Sequence, residues 1–148
     1  MADRTAGKGK LYTAEILGLA VELARYPLDA SMAYVSEASS KTCGSTLRIG
    51  LACRGSGGIE AVGMQVSACA IGQASAAIFA RHVVGHDTAS IINALSEIER
   101  WLEADGRAPS WAEIEILDPA RAYPARHGAI LLPWKAAVQA LSKPEAAR

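Results

Sequence analysis

The pattern of hydrophobic and polar positions changes its period along the chain, and the first period is helical. Apolar residues recur every three or four positions after a polar start, at Ile16, Leu17, Ala20, Val21 and Ala24. Thr13 is a typical N-cap residue, and Pro27 cannot continue a helix. The sequence therefore predicts a first helix from Thr13 to about Tyr26.

Alternation with a period of two replaces the helical pattern in the middle of the chain. Apolar residues alternate with polar or small ones in "TLRIGLAC" and again in "IEAVGMQVSA", and the turn sequence "RGSGG" separates the two runs. This pattern predicts a β-hairpin. The preceding "MAYVSEASS" predicts a third, weaker strand, which would help the hairpin because a ribbon of two strands is only marginally stable.

The alternation of apolar residues also predicts the register of the hairpin, because core-facing residues of one strand must lie opposite core-facing residues of the other. The expected pairs are Leu47 with Val66, Ile49 with Met64 and Leu51 with Val62. A four-residue loop then places Arg54 opposite Ile59. Toward the open end, the same register places Gly44 opposite Cys69, so that Cys43 and Cys69 become diagonal neighbours.

The rest of the chain has a helical pattern. Helices are predicted for "AIGQASAAIFARHVV", which stops at Gly85, for "TASIINALSEIERWLEA", and for "AILLPWKAAVQAL" with Pro133 near its start. "SWAEIEIL" predicts a short helix, whereas "DPARAYPARHG" is expected to be broken by its prolines. One helix, then strands, then helices predict an α+β domain in which a small antiparallel sheet of about three strands packs against helices on one face.

Composition narrows the class of protein. The 148 residues suffice for one domain with a real core, which we place at residues 11–148 after a flexible tail of residues 1–10. The 15 basic and 15 acidic residues balance, so nucleic acid and membrane surfaces are not expected partners. The 3 cysteines show no paired spacing, and no signal segment or membrane span is visible, so a cytoplasmic location is expected.

The cysteines differ in the chemistry expected of them. Cys69 lies where the second strand passes into an alanine-rich helix, and the unpaired amides and dipole of a helix N-terminus favour a thiolate. Cys43 is its predicted neighbour, whereas Cys53 lies about 33 Å from Cys43 along an extended strand and is expected only to pack in the interior. The competing interpretation is that Cys43 and Cys69 are two small buried side chains beside a turn.

Other conspicuous residues are expected to be structural. Apolar spacing predicts that three tryptophans pack helices against the sheet, namely Trp101, Trp111 and Trp134. His82 and His86 lie at the far end of the helix that follows Cys69, some 20 Å away at helical rise, and are therefore poor candidates for the same site.

Three segments of the chain resemble, in order and spacing, the signature segments of one family. They are "TCGSTLRIGL", "SACAIGQASAAI" and "YPARHGAILLPWKAA". In these segments, and in the N-terminal "LYTAEIL", the chain is similar to the U-type iron-sulfur cluster assembly scaffolds, the group of the IscU and NifU proteins. The long interval between the second and third segments, together with "YPAR…PWKA", looks most like the SufU branch of that group.

The resemblance implies a compact, NifU-like α+β fold in which three cysteines and an aspartate gather at one end. In the family, this site binds a nascent iron-sulfur cluster or zinc and receives sulfur from a cysteine desulfurase. Cys43 matches the first cysteine of the family's Cys-Gly-Asp segment, and Cys69 matches the second cysteine. The neighbourhood of Cys43 and Cys69 derived from the hairpin register agrees with this match.

Two positions depart from the family pattern. Ser45 stands where the family has the aspartate, and Ala129 stands where it has the third cysteine. A tetrahedral zinc or the edge of a cluster needs about four donors, and serine is a poor one. His127 is the candidate to supply a missing ligand, although a histidine in a turn is more often a solvated surface residue. Arg126 matches a basic position of the family. Two interpretations of it are open: its charge stabilises a thiolate, or it is an ordinary surface arginine.

Three functions are compatible with these observations. The first is a scaffold or carrier, not an enzyme, that holds iron, zinc or a small cluster through Cys43 and Cys69, with His127 or a second subunit completing the ligands. Its expected partners are a cysteine desulfurase, apo client proteins and a second copy in a homodimer. The second function is a metal-free persulfide acceptor or regulator of the desulfurase, which the two missing ligands favour. The third is a binding module that has kept the fold and lost the chemistry.

Overall fold

The computed structural model of the chain describes residues 11–104 and 107–143, and the predicted tail of residues 1–10 lies outside them. Within the described residues, the order is helix α1 (Ala14–Glu22), a 3-10 turn (Leu23–Arg25), strands β1 (Tyr34–Ser39), β2 (Thr46–Cys53) and β3 (Ile59–Ser67), helices α2 (Ala70–His82) and α3 (Thr88–Ala104), a 3-10 helix (Ile114–Ala122) and helix α4 (Pro124–Leu141). This order confirms the predicted α+β class.

Helix α1 begins where the sequence predicts and ends earlier. Thr13 is the N-cap, and its Oγ1 accepts a hydrogen bond from the Ile16 amide at 3.1 Å. After Glu22 the helix tightens into the 3-10 turn, which ends one residue before Tyr26. Ile16 and Leu19 are the buried residues of α1, so the helix packs against the core along one side only.

The three strands form one antiparallel sheet with β2 in the centre. The strand predicted from "MAYVSEASS" is β1, and its last residue, Ser39, lies opposite Thr46. The predicted register between β2 and β3 is confirmed, with Leu47 opposite Val66, Ile49 opposite Met64 and Leu51 opposite Val62. At the open end of this hairpin the last pair is Thr46 with Ser67.

The predicted pairing at the closed end of the hairpin is wrong by one residue. Ile59 lies opposite Cys53, not Arg54, because the register shifts between Ala52 and Cys53. Such a bulge places one extra residue in β3 and was not visible in the alternation of apolar residues. The Arg54 amide instead donates a hydrogen bond to the Gly58 carbonyl at 2.8 Å, and the turn needs a glycine at Gly57, where φ is +100°.

Helices α2 and α4 supply the largest side chains of the core. Phe79 of α2 stacks on Trp111 with ring centroids 5.5 Å apart, and Trp134 of α4 meets Phe79 edge-on at 5.4 Å. Trp101, Trp111 and Trp134 are all buried, which confirms their predicted packing role. Helix α4 also packs against β1 and β2, so helices cover the inner face of the sheet as predicted.

The segment before α4 differs from the sequence prediction. The 3-10 helix runs through Pro119 to Ala122, and α4 begins at Pro124 instead of near Ala129. Proline at the first helical position is favourable because its missing N–H would have no partner there. The start of α4 thus includes Arg126 and His127, which we had predicted in a turn. No helix of the described residues is long and apolar enough to cross a membrane.

Candidate cysteine site

A tight loop between β1 and β2 holds Cys43. The Ser40 amide donates to the Ser45 carbonyl at 2.8 Å, and the Gly44 amide donates to the Ser40 carbonyl at 2.9 Å. Gly44 has a φ of +71°, a left-handed conformation that glycine adopts without a Cβ penalty. The bonds between Ser40 and Ser45 continue the β1–β2 pairing, so the position of Cys43 is determined by the sheet.

Two serine hydroxyls contact the Cys43 thiol. The Sγ of Cys43 lies 3.0 Å from the Oγ of Ser45 and donates to the Oγ of Ser40 at 3.6 Å. Both serines are buried, with 3% of Ser45 and 8% of Ser40 exposed, whereas Cys43 is only partly buried. The thiol is therefore held from two sides and still accessible from solvent.

This environment lowers the pKa of Cys43 below its ordinary value. Partial burial is the largest single influence and raises the pKa, but the hydrogen bonds of the Ser45 and Ser40 side chains, the Ser45 amide and the charge of Arg126 together outweigh it. A thiolate is the form that binds metal or attacks sulfur. The lowered pKa raises the fraction of Cys43 that is thiolate at neutral pH.

Cys69 is the N-cap of α2, as the predicted junction of strand and helix required. Its backbone is extended, with φ −67° and ψ 172°, and its carbonyl accepts from the Gln73 amide at 2.9 Å. The thiol makes no capping hydrogen bond, and the side chain is partly buried against the core. The Sγ is therefore held at the positive end of the helix dipole without a capping role.

Continuation of the observed register relates the two cysteines. Beyond the last pair of β2 and β3, Thr46 with Ser67, the next residues are Ser45 and Ala68, and then Gly44 and Cys69. The observed pairing itself stops at Thr46 and Ser67, because Gly44 turns to a left-handed φ and Cys69 begins α2, so the neighbourhood of Cys43 and Cys69 stays a prediction.

Helix α4 contacts both cysteine-bearing segments with adjacent residues. A Cβ on Gly128 would lie 3.1 Å from the Cβ of Ser40 and closer still to its Oγ. A Cβ on Gly72, in the first turn of α2, would lie 3.2 Å from the Cβ of Ala129. Gly128 therefore packs against the Cys43 loop, while the buried Ala129 packs against the helix that Cys69 begins. Ala129, which the resemblance matches to the family's third cysteine, therefore lies against the first turn of α2, and alanine supplies no donor there.

The candidate ligand His127 is oriented by a different contact. Its Nε2 lies 2.9 Å from the carbonyl oxygen of Arg121, so this nitrogen carries the proton and donates it. His127 and Ala129 are separated by about 200° around α4 at 100° per residue. The imidazole therefore caps the end of the 3-10 helix, and only its Nδ1 has a lone pair available for a metal.

Arg126 links the site to the start of α1. Its Nη2 donates a hydrogen bond to the hydroxyl of Tyr12 at 3.1 Å, and its charge acts on Cys43. Neither Tyr12 nor Ser40 is a site residue that the sequence predicts. The only signal for Ser40 was its place just before the predicted turn, and no local pattern connects Tyr12 with Arg126, which lies more than a hundred positions away.

The remaining histidines and Cys53 lie elsewhere. His82 bonds to Glu113 at 2.7 Å, His86 bonds to Ser90 at 2.9 Å, and Cys53 lies at the closed end of the hairpin. Among residues 11–104 and 107–143, no group of three or more His, Cys, Asp or Glu side chains is placed to hold a metal ion. The thiols of Cys43 and Cys69 and the hydroxyls of Ser40 and Ser45 are the donors that these segments carry, which is short of the four good ligands of a resident zinc site.

Comparison with known proteins identifies what this architecture is similar to. No protein-family model matches the chain, and a search of curated proteins also finds no match. The crystal structure of a nitrogen-fixing NifU-like protein (N-terminal) from Brucella abortus is similar over 92% of this chain and 95% of that chain, with 32% sequence identity and a TM-score of 0.84.

A second solved structure shares the fold at lower identity. It is the putative iron-sulfur cluster assembly scaffold protein for the SUF system from the thermophile Fervidobacterium islandicum AW-1. The similarity covers 90% of this chain and 98% of that chain, with 21% identity and a TM-score of 0.77. Identity at this level supports the fold alone.

Proposed function

Because this chain belongs to the U-type scaffold family, which includes the NifU N-terminal domain, we propose that it is a scaffold or carrier in iron-sulfur cluster assembly. The observation that carries the proposal is the junction of the Cys43 loop, the N-terminus of α2 and the start of α4 at one end of the hairpin. A protein of this kind receives and passes on cargo and is not an enzyme in its own right. Its partners would be a cysteine desulfurase and apo client proteins in the cytoplasm.

The thiolates of Cys43 and Cys69 are the proposed donors to the cargo, which is iron or a nascent cluster. A [2Fe–2S] cluster takes four protein ligands, so two cysteines hold half of it and leave the other half for a receiving protein. Ser45 and Ala129 make the site weaker than a complete ligand set would be. We infer that this chain holds its cargo loosely, as suits a carrier that must release it.

The sequence predicts His127 as a further ligand, but its geometry is less favourable than that of the cysteines, and we propose that its main role is the hydrogen bond to Arg121. Its Nε2 donates to Arg121, so a metal would have to approach Nδ1. Zinc is a weaker proposal than iron or a cluster. Even with His127, the two cysteines would leave one of the four zinc positions to water or to a partner.

Anaerobic reconstitution with ferrous iron and sulfide tests the scaffold proposal. We expect a cluster chromophore with bound iron and sulfide in the wild type, and its loss in Cys43→Ser and in Cys69→Ser. Cys53→Ser is the matched control, because Cys53 lies at the other end of the hairpin, and it should retain the chromophore. No bound iron under any anaerobic condition, or equal binding in all three variants, would contradict the proposal.

The hydrogen bonds of Cys43 favour a second candidate function, acceptance of a persulfide. The Cys43 thiolate would attack the terminal sulfur of a persulfide on a desulfurase cysteine. A new S–S bond forms on Cys43, the S–S bond on the desulfurase breaks, and the desulfurase cysteine leaves as a thiolate. The serine hydroxyls and Arg126 would stabilise the attacking thiolate and the resulting persulfide anion.

Intact-mass measurement after incubation with a desulfurase and cysteine tests the second candidate. The expected result is a mass increase of one sulfur atom on the wild type and on Cys69→Ser, and none on Cys43→Ser. If the wild type gains neither sulfur nor a cluster, and the variant lacking both cysteines keeps its stability and partner binding, the chain is a binding module without this chemistry.

A further inference from the structure

Helix α1 has an apolar face that no described part of the chain covers. Val21 is 77% exposed and Leu17 is 47% exposed, and Ala14 and Gly18 are exposed beside them. At 100° per residue these four positions fall within an arc of about 100°, on the side away from the buried Ile16 and Leu19. The exposed face is continuous along α1, unlike a single exposed apolar residue, which needs no explanation.

Opposite charges lie at the two ends of one edge of this face. Glu15 is in the first turn of α1, and Arg25 ends the following 3-10 turn. The backbone rotates by 100° per residue in α1, as far as Glu22, and by about 120° per residue in the 3-10 turn beyond it. Glu15 and Arg25 therefore lie within about 20° of each other around the helix axis. Both residues are exposed. The edge is therefore acidic at its start and basic at its end.

We propose that α1 packs against α1 of a second copy of the chain in a two-fold symmetric, antiparallel dimer. A two-fold axis perpendicular to the helices places the same surface on both sides of the interface. It also sets Glu15 of each copy opposite Arg25 of the other copy, so the charge pair forms twice. The two helix dipoles run in opposite directions, which is favourable. Gly18 has no side chain, and a Cβ built on it would meet nothing within 4 Å, so it leaves room for the second helix to approach.

The dimer is weak and leaves both cysteine sites open. Each copy contributes only two large exposed apolar side chains, Leu17 and Val21, so the contact is small and association depends on protein concentration. Tyr12, which bonds to Arg126 at the site, precedes α1. Antiparallel pairing centred near Ala20 separates the two Tyr12 residues by roughly 24 Å along the helix axis at 1.5 Å per residue. This interface therefore does not complete the ligand set, and its failure would not bear on the scaffold function.

Sedimentation equilibrium from low micromolar to near-millimolar concentration measures the association. We expect a monomer–dimer equilibrium for the wild type and a monomer for Val21→Glu. Ile92→Glu on α3 is the matched control, because Ile92 is also 47% exposed and lies on another helix, and it should dimerise as the wild type does. Circular dichroism establishes that each variant is folded.

Charge reversal tests the orientation of the pair. Glu15→Arg and Arg25→Glu should each weaken the dimer by at least several-fold, because each creates two like-charge contacts. The double variant should restore association toward the wild-type constant. A wild type that stays monomeric at every concentration, a dimer that Val21→Glu does not affect, or a double variant as weak as the single ones would overturn the proposal.

Discussion

The Oγ of Ser45 lies 3.0 Å from the Sγ of Cys43, and the resemblance of the sequence to the family matches Ser45 to an aspartate. A carboxylate there would be a metal ligand, whereas a buried hydroxyl is a poor ligand and a good hydrogen-bond donor to a thiolate. We therefore expect Ser45 to stabilise a negative charge on the Cys43 sulfur, where an aspartate would share a metal with it.

Replacement of Ser45 by alanine should slow the reaction of Cys43 with an alkylating reagent. Loss of the hydrogen bond raises the pKa of Cys43 and reduces the thiolate fraction at pH 7. We expect alkylation at that pH to slow by about fivefold, the effect of a hydrogen bond worth about 1 kcal/mol. Peptide mass spectrometry measures the rate at Cys43 separately from the other cysteines. Ser67→Ala, at the exposed end of β3, is the control, and an equal rate in both variants would contradict the role of Ser45.

Gly128→Ala should destabilise the protein and disturb the Cys43 loop. Its Cβ would lie 3.1 Å from the Cβ of Ser40, in a packed contact that cannot widen without moving α4 or the loop. We expect a loss of about 1–3 kcal/mol of unfolding free energy in urea, as for other overpacked sites. Gly18→Ala on α1 is the matched control, because its Cβ meets nothing within 4 Å and alanine favours a helix by up to about 1 kcal/mol. Equal stabilisation by both changes would refute the contact.

The His127→Ala variant tests whether His127 is a metal ligand or only stabilises the fold through its hydrogen bond to Arg121. Its hydrogen bond to the Arg121 carbonyl predicts a loss of about 1 kcal/mol of stability. If that bond is its main role, reconstituted iron and sulfide should remain as in the wild type, and this is the result we expect. Loss of the cluster with unchanged stability would instead establish His127 as a ligand.

The sequence alone predicted the register between β2 and β3, on which the expected neighbourhood of Cys43 and Cys69 rests. Register follows from which residues must face the core, and a slip of one residue would turn Leu47, Ile49 and Leu51 outward. The same logic located β1. It did not reveal the bulge at Cys53, since a bulge changes pairing without changing the identity of the residues that face inward.

Contacts between distant segments account for what the sequence did not predict. Arg126 of α4 bonds to Tyr12 before α1, across 114 positions of the chain. Ser40, in contrast, is only three positions from Cys43, and the loop closed by its bonds to Gly44 and Ser45 brings the two side chains together. The start of α4 was missed because Pro124 was interpreted as a helix breaker, although proline is favourable at the first helical position. That error also placed His127 in a turn and hid its bond to Arg121.

Acid should weaken the contact between α1 and the rest of the fold. Arg81 donates to Glu22 at 2.7 Å and to Glu113 at 2.8 Å. The bond from Arg81 lowers the pKa of Glu22, and the bonds from His82 and then Arg81 lower the pKa of Glu113. Because the folded pKa values lie below the unfolded ones, this stability is present above the ordinary glutamate pKa and is lost as the pH falls through the folded values.

Glu113→Gln tests this linkage. We expect it to lower the free energy of unfolding by about 1 kcal/mol at pH 7, the upper range for a partly exposed ion pair, and to have a smaller effect at pH 3. Urea unfolding across this pH range measures the difference. Glu103→Gln on the exposed face of α3 is the control, and an effect of Glu113→Gln that does not shrink in acid would contradict the assignment.

Ser45→Asp combined with Ala129→Cys should restore the family's donor set around Cys43 and Cys69. Ser45 already contacts the Cys43 thiol, and Ala129 packs against Gly72 in the first turn of α2, so both new donors would enter at the site. Four donors complete a tetrahedral zinc site. We therefore expect zinc affinity to rise by more than about tenfold, since even residues that only support ligands change affinity that much.

Competition with a chromophoric chelator measures the zinc affinity of this double variant. The same pair of changes in a Cys43→Ser background is the control, and it should lose most of the gain, because it again lacks a fourth good ligand. Each single change should give less than the pair, since three donors leave one position to water. An unchanged affinity in a folded double variant would show that position 129 does not face the same site as Cys43, and that the reduced donor set alone does not explain weak metal binding.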